Sequence, residues 1–191
     1  MRSARLAKNF PNLNSNNYQI TSPDEPRYNC VAWALGETSR WWQKFPMNGY
    51  HWPAEVATGE DMNGWMHVFG LAGYVACQDG SLENGFEKIA IYATGDDDPE
   101  HVARQLDSGL WTSKLGGWED IIHHSLEALE NSQYGTARVF MKRPKKQSAN
   151  TYVSLRHRVF AALRAISRRL PSVRFAALTL PPLLAPNSDN A

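Results

Sequence analysis

The chain has 191 residues, of which 42% are hydrophobic and 20% charged, and it contains seven Trp, seven Tyr and seven Phe. This length and composition suit one domain with a tail and exclude intrinsic disorder for most of the chain. The net charge of +1 hides an asymmetry, because residues 1–144 hold 12 Lys/Arg against 18 Asp/Glu whereas residues 145–191 hold 8 against 1.

The first elements of the chain are predicted to be helical after a polar start. Residues 1–23 are rich in Asn and Pro and predict an extended lead-in. Small and apolar residues at helical spacing predict a helix over residues 28–36, with Gly36 as its stop. The Trp-rich residues 37–58 predict an irregular loop that borders a cleft, and a second helix is predicted over residues 58–74.

The apolar pattern then changes to the period of strands. The predicted strands are residues 86–93, 101–106, 110–115 and 136–141. Asp107-Ser108-Gly109 has the length and the glycine of a hairpin loop, so the second and third strands are expected to pair. An amphipathic pattern predicts a further helix over residues 118–129. Helices packed on an antiparallel sheet make the predicted fold class α+β.

Charge and periodicity also predict the domain organisation. The domain is expected to span residues 24–143, followed by a linker at 144–151 and a tail at 152–191. Apolar residues at spacings of three and four, with five arginines between them, predict a basic amphipathic helix over residues 152–170. We expect this extension to dock on the acidic domain, on a partner or on an anionic surface, and the pattern gives no firm nucleic-acid signal.

Cysteine content and the N-terminus indicate a compartment. Cys30 and Cys77 are too few for a disulfide scaffold and lack the paired spacing of a zinc ribbon. The N-terminus lacks the apolar run of a signal peptide, and no segment reaches the roughly 18 apolar residues of a membrane span. We therefore expect free thiols and a cytoplasmic protein, with export by a non-classical route left open.

Three residues have the placement that cysteine catalysis requires. Cys30 is expected in the first turn of a helix, where free backbone N–H groups favour a thiolate. His101 opens a predicted strand and can act as the base, because a strand end holds a ring nitrogen rigidly. The hairpin returns Ser113 and Lys114 beside it, and strand alternation lets only one of them, Ser113 or the less favoured Lys114, orient the ring.

The phrases YNCVAWALG, HVARQLDSGLWTSKLG and EDIIHH resemble a group of uncharacterised bacterial proteins related to the papain-like fold, the superfamily of the NlpC/P60 and CHAP cysteine peptidases and amidases. Members have a Cys at a helix N-terminus, a His at the start of a following strand and a polar residue on the next strand. The resemblance covers about residues 24–143. It implies a papain-like domain with Cys30 as nucleophile, His101 as base and Ser113 as third residue.

The resemblance implies a cysteine hydrolase or acyltransferase that cleaves a peptide or side-chain amide without a cofactor. It also implies that Tyr28 and Asn29 support an oxyanion hole beside the Cys30 backbone N–H. Hydrolysis, deamidation and transamidation use the same groups and stay open, and the aromatic loop suits a peptide, protein or glycopeptide substrate. The alternative function is a papain-like binding module without catalysis.

Two further clusters of titratable residues are interpreted as structural. His123 and His124 lie near Glu119 and Glu127, but the pattern is not that of a zinc-protease helix, and we predict no metal site. The acidic run at residues 96–100 is expected to be a solvated turn, with cation binding or a raised pKa of His101 as its alternatives.

Overall fold

A seven-stranded sheet organises the described residues, which in this computed structural model are 4–43, 49–56, 61–95 and 97–146. The helices are α1 (Ala4–Asn9), α2 (Cys30–Leu35), α3 (Met62–Leu71) and a 3-10 helix (Leu126–Leu129). The strands are β1 (Tyr18–Ile20), β2 (Val75–Cys77), β3 (Phe86–Thr94), β4 (Asp98–Gln105), β5 (Trp111–Lys114), β6 (Asp120–His123) and β7 (Thr136–Pro144). The strand order is β1-β6-β5-β4-β3-β7-β2 with antiparallel neighbours, which confirms the α+β class.

The chain divides into two units, Met1–Lys145 and Lys146–Ala191. The predicted basic helix at residues 152–170 lies outside the described residues, as does the rest of the tail. Most of the predicted linker lies outside them too, and its first residue, Pro144, ends β7. The following description therefore concerns the first unit alone.

The helix that contains Cys30 has defined ends. The Asn29 side chain caps α2 by accepting a hydrogen bond from the Ala32 N–H at 3.3 Å. Gly36 ends the helix with φ at 80°, a left-handed conformation that glycine adopts without steric cost. Both the predicted stop at Gly36 and the predicted position of Cys30 in the first turn are confirmed.

The sheet buries apolar side chains on both faces. Along β3, Ile89 and Ile91 pack against α2 and α3, whereas Ala90 and Tyr92 point to the opposite face. That opposite face is covered by α1, by the residues that follow it and by the 3-10 helix. This two-sided burial explains the continuous apolar run of β3, since a strand covered on both faces has no solvent side.

The expectation of an extended lead-in over residues 1–23 is wrong. Residues 4–9 form α1, and β1 pairs with β6 at the edge of the sheet. Leu6, Phe10 and Leu13 are completely buried, and their spacing of four and three places them together on the core. The Asn and Pro residues that suggested a loop occupy the turns around these anchors.

The predicted helix over residues 118–129 is also wrong. Residues 120–123 form β6, which lies between β1 and β5, and only 126–129 are helical, as a single 3-10 turn. A short apolar run fits either period, and here the partner strands on both sides decide the outcome. The second helix, α3, is shorter than predicted and begins after its cap Asp61.

The strands at residues 86–93, 110–115 and 136–141 are confirmed as β3, β5 and β7 with small changes of boundary. The strand containing His101 begins earlier than predicted, at Asp98, so His101 does not open it. The acidic residues Asp98 and Glu100 therefore belong to β4 rather than to a turn. The register of β4 against β3 shifts between the pairs Tyr92–His101 and Ala93–Pro99, which leaves Glu100 as the extra residue of a bulge.

Candidate active site

Cys30 is the first residue of α2 and packs on β4. Its side chain is almost completely buried, and the backbone N–H groups of Val102, Val31 and Cys30 itself lie near enough to the sulfur to lower its pKa. Val102 directly follows His101 in β4. The fold thus brings the thiol to the backbone next to the predicted base, as the sequence order of helix and strand suggested.

Burial raises the pKa of the Cys30 thiol to about 11. Nearby backbone N–H groups lower the pKa of the thiol, but loss of water, together with a smaller effect of the Glu100 carboxylate, outweighs them. The sequence predicted a thiolate favoured by the helix N-terminus. With only six residues in α2, desolvation dominates, and Cys30 holds its proton at neutral pH.

The His101 ring is fully buried and fixed between aromatic side chains. Its plane stacks on the Tyr134 ring at a centroid distance of 4.3 Å and an angle of 2°, and Tyr92 lies at 5.4 Å. Loss of water, together with a smaller effect of His123, lowers the pKa of His101 to about 3. The acidic residues of β4 therefore do not raise this pKa, and the ring is neutral at pH 7.

A chain of hydrogen bonds fixes the tautomer of His101. His123 Nδ1 lies 2.8 Å from the Ser125 carbonyl oxygen, which can only accept, so Nδ1 of His123 holds the proton. The other nitrogen of this neutral ring accepts from the Ser113 hydroxyl at 3.0 Å. The Ser113 oxygen is thereby left to accept from Nε2 of His101, also at 3.0 Å. Nδ1 of His101 must then carry a free lone pair.

That lone pair on His101 Nδ1 is buried and has no hydrogen-bond partner among the described residues. A buried polar atom without a partner is costly, and such atoms are concentrated where a ligand or a reaction uses them. The Tyr134 ring stacks on His101 and also lines the cleft that contains Cys30, whereas His101 itself is fully buried and is not among the residues that line the cleft.

We expect the two buried histidines to make the domain sensitive to mild acid. The pKa of His123 is lowered to about 4, mainly by burial, and that of His101 to about 3, whereas both rings take up a proton near pH 6.5 when unfolded. The unfolded state then binds more protons below pH 6.5, so stability is lost as pH falls. At pH 5 each ring should cost roughly 2 kcal/mol.

Urea denaturation at pH 7 and pH 5 measures this loss of stability. His123→Gln, which cannot titrate, should lose about half of the difference between the two pH values. An equal free energy of unfolding at both pH values in the unsubstituted protein would contradict the burial of neutral rings.

Lys114 and Tyr28 do not reach the His101 ring. Lys114 points to the other face of the sheet, where its ammonium group lies 3.7 Å from an Asp120 carboxylate oxygen and 4.8 Å from the Tyr28 ring centroid. The Tyr28 hydroxyl donates to the same carboxylate at 2.6 Å. Its proton is engaged in this buried cluster, so the structure favours Ser113 over Lys114 as the orienting group and gives Tyr28 a packing role.

Asn29 holds the aromatic loop against α2. Its amide nitrogen donates to the Trp42 carbonyl at 2.7 Å, and its amide oxygen accepts from the Trp42 N–H at 3.2 Å as well as capping the helix. The Trp42 indole N–H donates to Glu37 at 2.8 Å, and the Trp42 ring meets the His51 ring edge-on. With its side chain occupied in this way, Asn29 fixes the wall beside Cys30 rather than offering a free donor.

Cys30 opens onto a cleft of about 380 Å³. Its aromatic lining comes from the loop and α3, and further lining residues come from the beginning of β4 and from the segment before β7. The lining residues are Asn29, Cys30, Trp41, Trp42, Gln43, Trp52, Trp65, Asp98, Pro99, Glu100, Gly116, Gln133 and Tyr134. The volume suits a few residues of a peptide or a ligand of similar size.

Sequence reasoning missed two members of this site. The sequence places His123 in a predicted helix, whereas Asp120, Ile121 and His123 are buried in β6. Tyr134 lies between a turn and a strand, where no local pattern distinguishes it. His124 is exposed, and among the described residues no group of three or more His, Cys, Asp or Glu side chains is placed to hold a metal ion.

The fold and the cleft define an α+β domain with a buried cysteine, a histidine chain and an aromatic-walled cleft. The chain belongs to a protein family described as a domain of unknown function, DUF7689, whose model matches residues 19–142 and so includes every residue of this site. Searches of curated proteins and of solved structures found no significant match. Within the described part of the chain, no helix has the length and apolar character needed to cross a membrane.

Proposed function

We propose that this protein is a papain-like cysteine hydrolase or acyltransferase that acts on an amide bond. The observation that carries the proposal is the free lone pair on His101 Nδ1. It is free because the ring proton lies on Nε2, which donates it to Ser113. A base needs a free nitrogen beside the nucleophile and a second nitrogen that fixes the ring. Cys30, which lines the same cleft as the Tyr134 ring that stacks on His101, supplies the nucleophile.

In the proposed reaction, Cys30 Sγ attacks the carbonyl carbon of the amide while its proton passes to His101 Nδ1. The carbonyl electron pair moves to oxygen, and on its return the C–N bond breaks and Nδ1 gives the proton to the leaving amine. A thioester on Cys30 results. Water or an acceptor amine then attacks it, His101 takes the proton of the attacking group, and the thiol is restored.

The starting state of this reaction is a neutral pair, because burial disfavours charge on both Cys30 and His101. A thiolate and an imidazolium in contact stabilise each other and reverse both pKa shifts. Proton transfer therefore requires Sγ and Nδ1 to approach, which a substrate that fills the cleft and excludes water can drive.

The order of the elements supports the papain-like assignment within this proposal. A helix begins with the cysteine, a strand of an antiparallel sheet follows with the histidine, and the neighbouring strand supplies the polar residue. β4 and β5 pair through their backbones at Arg104–Thr112 and Gln105–Trp111, and beyond this pairing the His101 and Ser113 side chains join the two strands. The basic helix at residues 152–170 stays a prediction from its sequence pattern.

A second function, a binding module on the same scaffold, is favoured by one observation. The Cys30 thiol makes no hydrogen bond to His101 Nδ1 in the described structure, and both groups are in their neutral forms. In this function, the aromatic walls of the cleft bind a peptide without covalent chemistry.

Turnover of a mixed peptide library distinguishes these functions. The library should contain main-chain amides and glutamine side-chain amides, and the reaction should run in ¹⁸O-labelled water with and without an added primary amine. The hydrolase predicts products with new termini or converted side chains that contain ¹⁸O or the amine. Peptides that bind and are recovered unchanged across the library would support the binding module and contradict the hydrolase.

A further inference from the structure

The cleft is lined by carboxylates without matching cations. Asp98 and Glu100 line it, and its lining residues include no Lys or Arg in the described part of the chain. Neither carboxylate makes an ion pair or a hydrogen bond with a described residue, whereas the neighbouring Asp97 lies 3.4 Å from an Arg138 guanidinium nitrogen. Two unpaired carboxylates in one concave site concentrate negative potential there.

The aromatic lining of the cleft also suits a positively charged ligand. Trp41, Trp42, Trp52 and Trp65 line it, and the face of a Trp ring attracts a cation. The Trp42 ring already shows this preference, since the Arg40 guanidinium carbon lies 5.5 Å from its centroid. The buried indole N–H of Trp52, a residue that lines the cleft, has no hydrogen-bond partner among the described residues, and this unsatisfied donor marks the place as a ligand site independently of these charges.

We propose that the substrate is a peptide with a cationic side chain, an ammonium or a guanidinium group, which binds between the Trp wall and the carboxylates of Asp98 and Glu100. The identity of the bond that is broken rests on the proposed function above, but the preference for a cation does not. A peptide with a glutamate in this position would meet like charges and be rejected.

A bound cation would also change the chemistry of the thiol. The Glu100 carboxylate is close enough to Cys30 to disfavour the thiolate. A positive group that binds to Glu100 offsets this charge, so a cationic substrate makes deprotonation of Cys30 easier than an uncharged substrate of the same shape does. Substrate selection and activation of the nucleophile are thereby coupled through one residue.

Charged thiol reagents of similar size test the proposal directly. In a Cys77→Ser background, trimethylammonioethyl, sulfonatoethyl and methyl methanethiosulfonates each form a disulfide with Cys30 and release methanesulfinate. The rate with the cation divided by the rate with the anion, relative to the same ratio for a small free thiol, reports the potential in the cleft, since the thiolate fraction cancels. We expect a ratio of about tenfold or more, which falls at high salt.

Asp98→Asn with Glu100→Gln should reduce this ratio to about one to two, while Glu100→Gln alone should accelerate the neutral reagent because the thiol loses a neighbouring charge. Asp107→Asn is the matched control. Asp107 is exposed in the β4–β5 loop and ion-paired with Lys145, so its loss changes the net charge by the same single unit as Glu100→Gln alone and should leave the ratio within about twofold. A ratio near one in the unsubstituted cleft would overturn the proposal.

A binding measurement separates this proposal from the proposed function. Tryptophan fluorescence should be titrated with Nα-acetyl-lysinamide and with the uncharged Nα-acetyl-norleucinamide. At least about threefold tighter binding of the lysine compound, lost in the double variant, is expected. If Cys30 is inert to all three reagents but this preference is found, the hydrolase fails and the cation site stands; equal binding of both compounds overturns the cation site.

Discussion

Replacing Cys30 with alanine should abolish amide turnover, lowering kcat/KM by a factor on the order of 10⁴ or more. The reason is that no other thiol lines the cleft within the described residues, so the thioester cannot form. The measurement is steady-state cleavage of a peptide amide that the library identifies, together with intact-mass detection of the acyl-enzyme.

Cys77→Ala is the matched control for that loss. Cys77 is the other free thiol, and it lies half-buried at the end of β2, where its Sγ contacts the Asp79 carbonyl oxygen at 3.6 Å. This variant should retain activity within about twofold, since the substitution is remote from the cleft. Equal turnover by the Cys30→Ala protein, with an unchanged melting curve, would remove Cys30 from the mechanism.

The second large effect is expected at Gly135, which precedes β7. Its φ is 70°, and a Cβ placed there would lie 1.9 Å from the Ala93 carbonyl oxygen, an atom of the β3 backbone that cannot move aside. Gly135→Ala should therefore lower the free energy of unfolding by at least about 4 kcal/mol. Tyr134, the residue before it, stacks on His101, so the same change should displace the His101 ring.

Gly85→Ala separates steric overlap from backbone strain. Gly85 also has a positive φ, 84°, but nothing lies within 4 Å of a Cβ built on it. Its substitution should cost only about 1 to 2 kcal/mol, the strain of a left-handed residue. Both variants are compared by urea denaturation at pH 7. An equal loss of unfolding free energy at both positions would show that overlap with the Ala93 carbonyl does not destabilise the Gly135→Ala variant.

The parts of the fold that local sequence patterns determine could be predicted. Gly36 ends its helix, the Asp107-Ser108-Gly109 loop joins two paired strands, and this hairpin places Ser113 next to His101. Each of these features depends on residues close together in the chain. The predicted elements also place Cys30, His101 and Ser113 in this order, at the start of a helix, in a strand and in the strand that follows it.

The features that failed depend on contacts between distant segments. β6 is a strand because β1 and β5 pair with it from both sides, and β1 was assigned to a lead-in. Without that pairing, residues 120–123 fit a helical period equally well, and the buried position of His123 could not be recognised. The hydrogen-bond chain from His101 through Ser113 to His123 joins three strands and has no signature in any one of them.

The protonation state of Cys30 could not be predicted from the sequence either. The position at a helix start favours a thiolate, but the opposing effect is the removal of water by residues of α3 and β3. Desolvation is a property of the assembled core, and it reverses the direction of the pKa shift. The Glu100 bulge, which brings a carboxylate toward the same sulfur, likewise depends on the register of β4 against β3.

The central claim, that His101 takes the proton of Cys30, is tested most directly by the pH dependence of Cys30 alkylation with iodoacetamide in a Cys77→Ser background. With His101 as base, the rate should be nearly independent of pH between the pKa of the ring, about 3, and that of the thiol, about 11. In His101→Gln the rate should instead rise about tenfold per pH unit toward pH 11. The same steep rise in the unsubstituted protein would contradict the account.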